Sequence, residues 1–167
     1  MTGTKLIVLL VGAALAVAGC GGSSNDSAAP PTTANGRPAT IGISNSDLGK
    51  ILVNSQGHTL YLFQKDSGNA SACTGACATA WPPLRASGKP TVGSGTSASM
   101  VGTAPRSDGS SQVTYNGHRV YLFEHDHKAG DTNGEGLNAF GGNWFALSSA
   151  GIAVTAPPPD NSGGYGY

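Results

Sequence analysis

The segment GHTLYLFQKD at residues 57–66 recurs as GHRVYLFEHD at residues 117–126, 60 positions further along the chain. Six of the ten aligned positions are identical: Gly, His, Tyr, Leu, Phe and Asp. A tryptophan follows each copy at a similar distance, Trp81 after the first and Trp144 after the second. Self-similarity of this kind indicates an internal duplication.

Each copy has the sequence pattern of a β-hairpin. In the second copy, the apolar residues 113–115 and 120–123 flank Asn116-Gly117, two residues that tolerate the positive φ angles of a tight hairpin turn. The first copy has the same arrangement around residues 54–57. The second segment of each hairpin is continuously apolar, which predicts a strand that is buried on both faces.

An aspartate ends each aromatic segment, Asp66 in the first copy and Asp126 in the second. An aspartate at the end of a strand can accept hydrogen bonds from the backbone N–H groups of the following turn. We therefore expect both carboxylates to have a structural role.

The duplication predicts a mainly β fold. We expect two pseudo-symmetric antiparallel β units that share one core, with short helical turns and long loops. Each unit alone has too few large apolar residues for a core of its own. The residues expected to pack the units together are Tyr61, Phe63, Trp81, Tyr121, Phe123 and Trp144.

The N-terminus has the pattern of an export signal. Lys5 precedes a 13-residue apolar run from Leu6 to Ala18, which is too short to span a bilayer. The run ends in Val-Ala-Gly-Cys at residues 17–20, which resembles a bacterial lipobox. The resemblance implies cleavage after Gly19 and attachment of diacylglycerol to the Cys20 sulfur. An ordinary secretory peptide with an incidental cysteine is the alternative.

Composition divides the rest of the chain into three parts. Residues 20–40 contain no large apolar side chain, so they are predicted to be a flexible tether behind the lipidated cysteine. Residues 41–155 form the repeat domain, with the first repeat at about 41–90 and the second at about 100–155. The Pro- and Gly-rich residues 156–167 are predicted to be a disordered tail.

A family resemblance extends over the whole body, from about residue 41 to residue 156. The pattern Tyr-x-Phe-x-x-Asp, present twice behind a lipobox, resembles the bacterial lipoproteins with tandem secreted repeats that carry the motif Y-x-(F/W/Y)-x-x-D. The segments CTGACATAWPPL at 73–84 and GDTNGEG at 130–136 are similar to further motifs of that family. The resemblance implies export and a repeat architecture, but the family has no generally established activity.

Three cysteines are present, and Cys73 and Cys77 remain after Cys20 is assigned to the lipid. An even pair in an exported domain predicts a structural disulfide. A redox-active dithiol is the alternative, but the C-x3-C spacing differs from the C-x-x-C of thioredoxin-like sites.

A polar loop after the second copy contains candidate metal ligands. Two imidazoles and a carboxylate could bind a borderline divalent metal ion, and the two histidines would face the same side if the strand continued. A calcium loop is less well matched, because position 142, where its last ligand would be a glutamate, is a glycine. A solvated loop without metal is the alternative. The candidate ligands are His125, His127, Asp131, Asn133 and Glu135.

Charge and motifs limit the classes of function. Nine basic residues balance nine acidic residues, and charged residues make up 11% of the chain, which argues against a nucleic-acid-binding surface. The sequence contains no G-x-S-x-G elbow, no phosphate-binding loop and no His-Glu-x-x-His motif, so we expect neither an enzyme nor a cofactor.

The sequence therefore predicts a cell-envelope lipoprotein that is anchored to the extracytoplasmic face of a bacterial membrane. We expect it to act as a non-enzymatic binding or interaction module for an envelope protein or a small ligand. The alternative is a metal- or redox-handling lipoprotein that uses the His125–Glu135 loop and the Cys73/Cys77 pair.

Overall fold

A computed structural model describes residues 38–68 and 70–155 of the chain. The predicted signal peptide, the predicted lipidation site Cys20, most of the predicted tether and the predicted C-terminal tail lie outside the described residues. Within these residues, no helix is long and apolar enough to cross a bilayer.

The described residues form nine strands, one α-helix and one short 3-10 helix at Ala98–Met100. In chain order the other elements are β1 (Thr40–Ser46), β2 (Gly49–Asn54), β3 (Tyr61–Phe63), α1 (Ala76–Ala80), β4 (Thr91–Val92), β5 (Val101–Pro105), β6 (Ser111–Tyr115), β7 (His118–Arg119), β8 (Asn138–Ala139) and β9 (Gly142–Ala146).

Three small sheets are formed, with the strand orders β2-β1-β4, β3-β9-β8 and β5-β6-β7. All strand pairs are antiparallel except β1 with β4, which pair in parallel over two residues. The second sheet joins the two copies, because β3 of the first copy pairs with β9 of the second, with Phe63 opposite Trp144. The predicted mainly β fold with two units sharing one core is confirmed.

The second copy lacks the long strand that the sequence predicted over residues 120–123. Its ladder ends at Arg119, and Tyr121 makes only isolated bridges. Residues 120–122 of the second copy pair with residues 82–84, and this pairing corresponds to that of β3 with β9. Leu122 N–H donates to Pro82 O (2.8 Å), and Leu84 N–H donates to Val120 O (3.0 Å). Because Pro82 and its neighbour Pro83 have no N–H group, this segment cannot complete a ladder.

The two hairpin turns are built differently. Asn116 and Gly117 have φ angles of 48° and 80°, as a two-residue hairpin turn requires. In the first copy the turn is longer, and the Asn54 side chain stabilises it by accepting hydrogen bonds from the N–H groups of Gln56 (3.0 Å) and His58 (2.9 Å). Both turns lie where the sequence predicted them.

The central apolar segments are buried on both faces, as predicted, because their side chains alternate between two clusters. Leu60 and Leu62 point into one cluster with Val120 and Leu122 of the second copy. The aromatic side chains point into the other cluster, which contains Tyr61, Phe63, Trp81, Tyr121, Phe123 and Trp144 together with both cysteines. Each cluster takes residues from both copies.

Cys73 and Cys77 form the predicted disulfide, and both are buried in the aromatic cluster. The bond lies next to helix α1, the short helical turn that the sequence also predicted. The helix ends at Ala80, two residues before Pro82, and Trp81 N–H donates to Cys77 O (2.8 Å) at its C-terminus. The disulfide and the helix thus place Trp81 in the core.

Candidate functional site

The motif tyrosines of the two copies, Tyr61 and Tyr121, lie side by side at the centre of the domain. Tyr61 N–H donates to Tyr121 O, and Tyr121 N–H donates to Tyr61 O, both at 2.9 Å. Both residues are fully buried. This reciprocal pair marks the approximate two-fold axis that relates the copies.

The motif tyrosines and aspartates bond across the two copies rather than within each copy. The Tyr61 hydroxyl donates to Asp126 Oδ2 (2.7 Å), and the Tyr121 hydroxyl donates to Asp66 Oδ2 (2.6 Å). Tyrosine and aspartate are five residues apart in one copy, but the bonded partners are 65 and 55 residues apart. Each copy of the motif is therefore completed by the other.

The second oxygen of each carboxylate holds the turn that follows its strand. Asp66 Oδ1 accepts from Ala72 N–H (2.7 Å), and Asp126 Oδ1 accepts from Asn133 N–H (3.0 Å). The predicted structural role of both aspartates is confirmed. The tyrosine partner was missed, because no pattern within one copy shows that its partner belongs to the other copy.

Four aromatic rings form a continuous stack through the core, in the order Phe123, Trp81, Trp144, Phe63. The two indole rings are 3.9 Å apart between centroids and inclined by 5°, and the Phe rings stack outside them at 4.2 Å and 4.1 Å. Each Trp therefore stacks on the Phe of the other copy. The motif tyrosines meet the indoles edge-on, at 5.4 Å for Tyr61 on Trp81.

The loop before β8 is fitted closely to this stack at Gly134. A Cβ atom there would lie 2.8 Å from the Trp81 ring and 2.9 Å from the Tyr61 ring, closer than nonbonded carbon atoms come. Gly134 N–H also donates to the Tyr61 hydroxyl oxygen (3.3 Å). The glycine that the sequence placed in a polar loop therefore belongs to the core.

Burial controls the ionisation of the tyrosine–aspartate pairs. Desolvation and the hydrogen bond to Asp66 raise the pKa of Tyr121 to about 12, and desolvation and the hydrogen bond to Asp126 raise the pKa of Tyr61 still further. Desolvation also raises the pKa of Asp126, although the hydrogen bonds from Tyr61 and Asn133 act in the opposite direction. The folded chain thus holds both hydroxyl protons tightly.

We expect the domain to lose stability in alkali because of these two hydroxyl groups. Below the ordinary tyrosine pKa of 10 their contribution is fully present, and it declines as the pH rises above 10 toward the pKa values of the folded chain, about 12 for Tyr121 and higher for Tyr61, because the unfolded chain releases the protons first. Urea midpoints measured from neutral pH to about pH 11 should fall steeply for the native chain. Tyr61→Phe and Tyr121→Phe should each have a lower midpoint at neutral pH and a flatter decline, and an unchanged slope would contradict the assignment.

The buried Arg106 supports the pair formed by Tyr121 and Asp66. No motif in the sequence identified this arginine. Arg106 donates to Cys73 O (2.7 Å), to the Gln112 side-chain oxygen (2.7 Å) and to the Ser71 hydroxyl (3.1 Å). The Ser71 hydroxyl in turn hydrogen-bonds to the Tyr121 hydroxyl (2.7 Å). Arg106 therefore connects the disulfide segment to the second hairpin.

Among the candidate metal ligands after Phe123, the His125 and His127 rings lie 6.2 Å apart between centroids, whereas the carboxylates are directed to backbone N–H groups. Asp131 Oδ2 accepts from His127 N–H (2.9 Å) and Lys128 N–H (3.1 Å), and Glu135 accepts from Ala146 N–H (2.7 Å) on another side of the loop. Asn133 donates to His125 O (3.0 Å). In residues 38–68 and 70–155, no three His, Cys, Asp or Glu side chains form a group suited to a metal ion. The carboxylates of Asp131 and Glu135 instead stabilise the conformation of the loop by accepting hydrogen bonds from backbone N–H groups.

The histidines at the two hairpins, His58 and His118, differ in exposure. His118 is exposed, whereas His58 is half-buried and its Nδ1 atom has no hydrogen-bond partner among the described residues. The difference arises because the loop after the second copy covers the first turn, where Gly130 N–H donates to Gly57 O (3.2 Å).

An open cavity of about 310 Å³ lies at the second hairpin turn. Its wall includes the Phe63 side chain, the Asp66 carboxylate and the exposed His118. Both carboxylate oxygens of Asp66 already accept hydrogen bonds, one from the Tyr121 hydroxyl and one from Ala72 N–H.

A family model described as a secreted repeat of unknown function matches the chain twice, at residues 42–85 and 102–148. The two matches together cover more than half of the chain and correspond to the two copies described above. No curated protein and no solved structure matches the chain.

Proposed function

The chain belongs to a family of secreted repeats of unknown function, and we propose that it is a lipid-anchored binding module of the bacterial cell envelope without enzymatic activity. The lipid on Cys20 would hold the repeat domain at the extracytoplasmic face of a membrane. The partner would be an envelope protein or a small ligand.

The observation that carries this proposal is the internal use of the motif residues. Both motif tyrosines are buried and bonded to the aspartate of the other copy. The cysteines are buried and oxidised, so they do not offer a thiolate. The residues that repeat in the sequence thus stabilise the interior of the domain. We therefore expect the binding site to lie on the surface of the domain.

Anchoring rests on the N-terminal sequence. The resemblance of residues 17–20 to a lipobox supports lipidation of Cys20, and membership of a secreted family supports export. The net charge is close to zero, so electrostatic attraction to anionic lipid would not retain the domain. Acyl chains on Cys20 would have to supply the attachment.

Cys20→Ala should release the protein from the membrane without unfolding it. Membrane and soluble fractions of cells that express each chain should show the native protein in the membrane fraction and the variant in the soluble fraction, because only the thiol can accept the lipid. Gly22→Ala, two residues away, is the matched control and should stay with the membrane. Retention of Cys20→Ala after a salt wash would refute the anchor.

A further inference from the structure

The hairpin between β8 and β9 ends in an exposed aromatic residue on strained backbone. Its two turn residues, Phe140 and Gly141, have φ angles of 56° and 82°. Asn-Gly is the usual sequence for a turn with two positive φ angles, and a bulky residue in the first position is an outlier. Strain of this kind persists only where the surrounding structure imposes it, and it occurs most often at functional sites.

Two of the three large hydrophobic side chains that are exposed in the described residues lie at this hairpin. The three are Leu137 at 39%, Phe140 at 46% and Ile152 at 60%. Leu137 and Phe140 both belong to this hairpin, whereas Ile152 lies beyond β9. Scattered exposed side chains are ordinary, but two that share one hairpin with a strained turn are a localised feature.

A cation lies beside this apolar tip. The Lys65 ammonium donates to Phe140 O (3.2 Å) and is exposed to solvent. Asp66, the acidic neighbour of Lys65 in the chain, directs its carboxylate to Tyr121 and Ala72, and Glu135 directs its carboxylate to Ala146 N–H. The tip therefore combines an aromatic ring, an aliphatic side chain and a positive charge.

We propose that this tip, defined as Leu137, Phe140 and Lys65, inserts into the headgroup region of the bilayer that holds the lipidated chain. Aromatic side chains favour the membrane interface, and a lysine beside them can contact anionic headgroups. The proposal rests on the anchored function proposed above and adds the orientation of the domain on the membrane.

The tether does not by itself fix this orientation. Fully extended, the chain from Cys20 to residue 38 could reach about 60 Å, whereas a domain of this size has a radius of gyration of about 13 Å. Any face could therefore meet the bilayer, and a weak surface contact is sufficient to select one. Anchoring raises the local concentration of the tip at the membrane, so that two apolar side chains can hold it there.

Hydroxyl-radical footprinting tests this contact on the full lipidated chain. We would compare the protein in vesicles of phosphatidylcholine and phosphatidylglycerol with the Cys20→Ala chain in solution. Oxidation of Leu137 and Phe140 should fall severalfold on the vesicles, while oxidation of Ile152 should be unchanged. Unchanged oxidation of the tip, or equal protection of all three side chains, would overturn the proposal.

Phe140→Asn separates membrane contact from a packing role. Asparagine suits the positive φ angle, so the variant should have a higher unfolding midpoint in urea, and on vesicles Leu137 should be oxidised as readily as in solution. A lower midpoint, or persistent protection of Leu137, would overturn the proposal.

The vesicle experiment distinguishes failure of this inference from failure of the proposed anchor. If the lipidated chain floats with the vesicles while its tip is oxidised freely, only the orientation is wrong. If the native chain does not float with the vesicles, the anchor is wrong and the membrane contact of the tip falls with it.

Discussion

Trp144→Ala is expected to lower the free energy of unfolding by about 3–5 kcal/mol, and Trp81→Ala by a similar amount. Both indoles are at most 1% exposed, and each stacks on the other indole and on one phenylalanine ring. Removing either ring leaves a cavity between rings that belong to both copies. A domain of this size has a total stability of about 5–15 kcal/mol, so either variant should be largely or partly unfolded at physiological temperature.

Urea unfolding followed by circular dichroism measures this effect. Ile152→Ala is the control, because it truncates an exposed side chain and should change the stability by less than about 0.5 kcal/mol. A loss below about 1 kcal/mol for both tryptophan variants would show that the ring stack does not hold the two copies together.

Neither copy is expected to fold when it is produced alone. A division between residues 92 and 97 separates β3 from its partner β9 and cuts both apolar clusters in two. It also breaks both tyrosine–aspartate hydrogen bonds that join the two copies. About 60 residues without a core of their own do not reach a stable fold without further support.

Proton–nitrogen NMR spectra of residues 38–92 and 97–155 should therefore show poor dispersion for each half, while residues 38–155 should give a dispersed spectrum. The intact domain should also unfold in one cooperative step. A well-dispersed spectrum of either half alone would mean that the copies are independent domains.

Local features of the fold could be predicted from the sequence because their causes are local. Asn116-Gly117 has the backbone freedom that a two-residue turn needs, and the position of Asp126 after an apolar segment identifies it as the residue that holds the next turn. Cys73 and Cys77 are close enough along the chain to be paired in an exported protein without knowledge of the fold.

The features that join the two copies could not be predicted in this way. The sequence shows that Tyr61 and Asp66 recur together, but it does not show that Tyr61 bonds to Asp126. The shorter strand of the second copy depends on Pro82, which lies opposite Leu122 only after folding. Spacing alone also grouped His125 with Glu135 as metal ligands, whereas the folded loop turns Glu135 toward Ala146.

A double-mutant cycle tests the exchange of hydrogen bonds between the copies most directly. Tyr61→Phe and Asp126→Ala should each destabilise the domain by about 1–3 kcal/mol, because each removes the hydrogen bond and leaves a buried partner unpaired. Together they should cost less than the sum, with a coupling energy of at least about 0.5 kcal/mol.

Asp66→Ala supplies the matched control, since Asp66 lies five residues from Tyr61 in the same copy but bonds to Tyr121. If the copies are interlocked as described, urea unfolding will show coupling of Tyr61 to Asp126 and of Tyr121 to Asp66, with the pair Tyr61 and Asp66 additive within about 0.5 kcal/mol. Coupling of Tyr61 to Asp66 that equals or exceeds its coupling to Asp126 would contradict the interlocked arrangement.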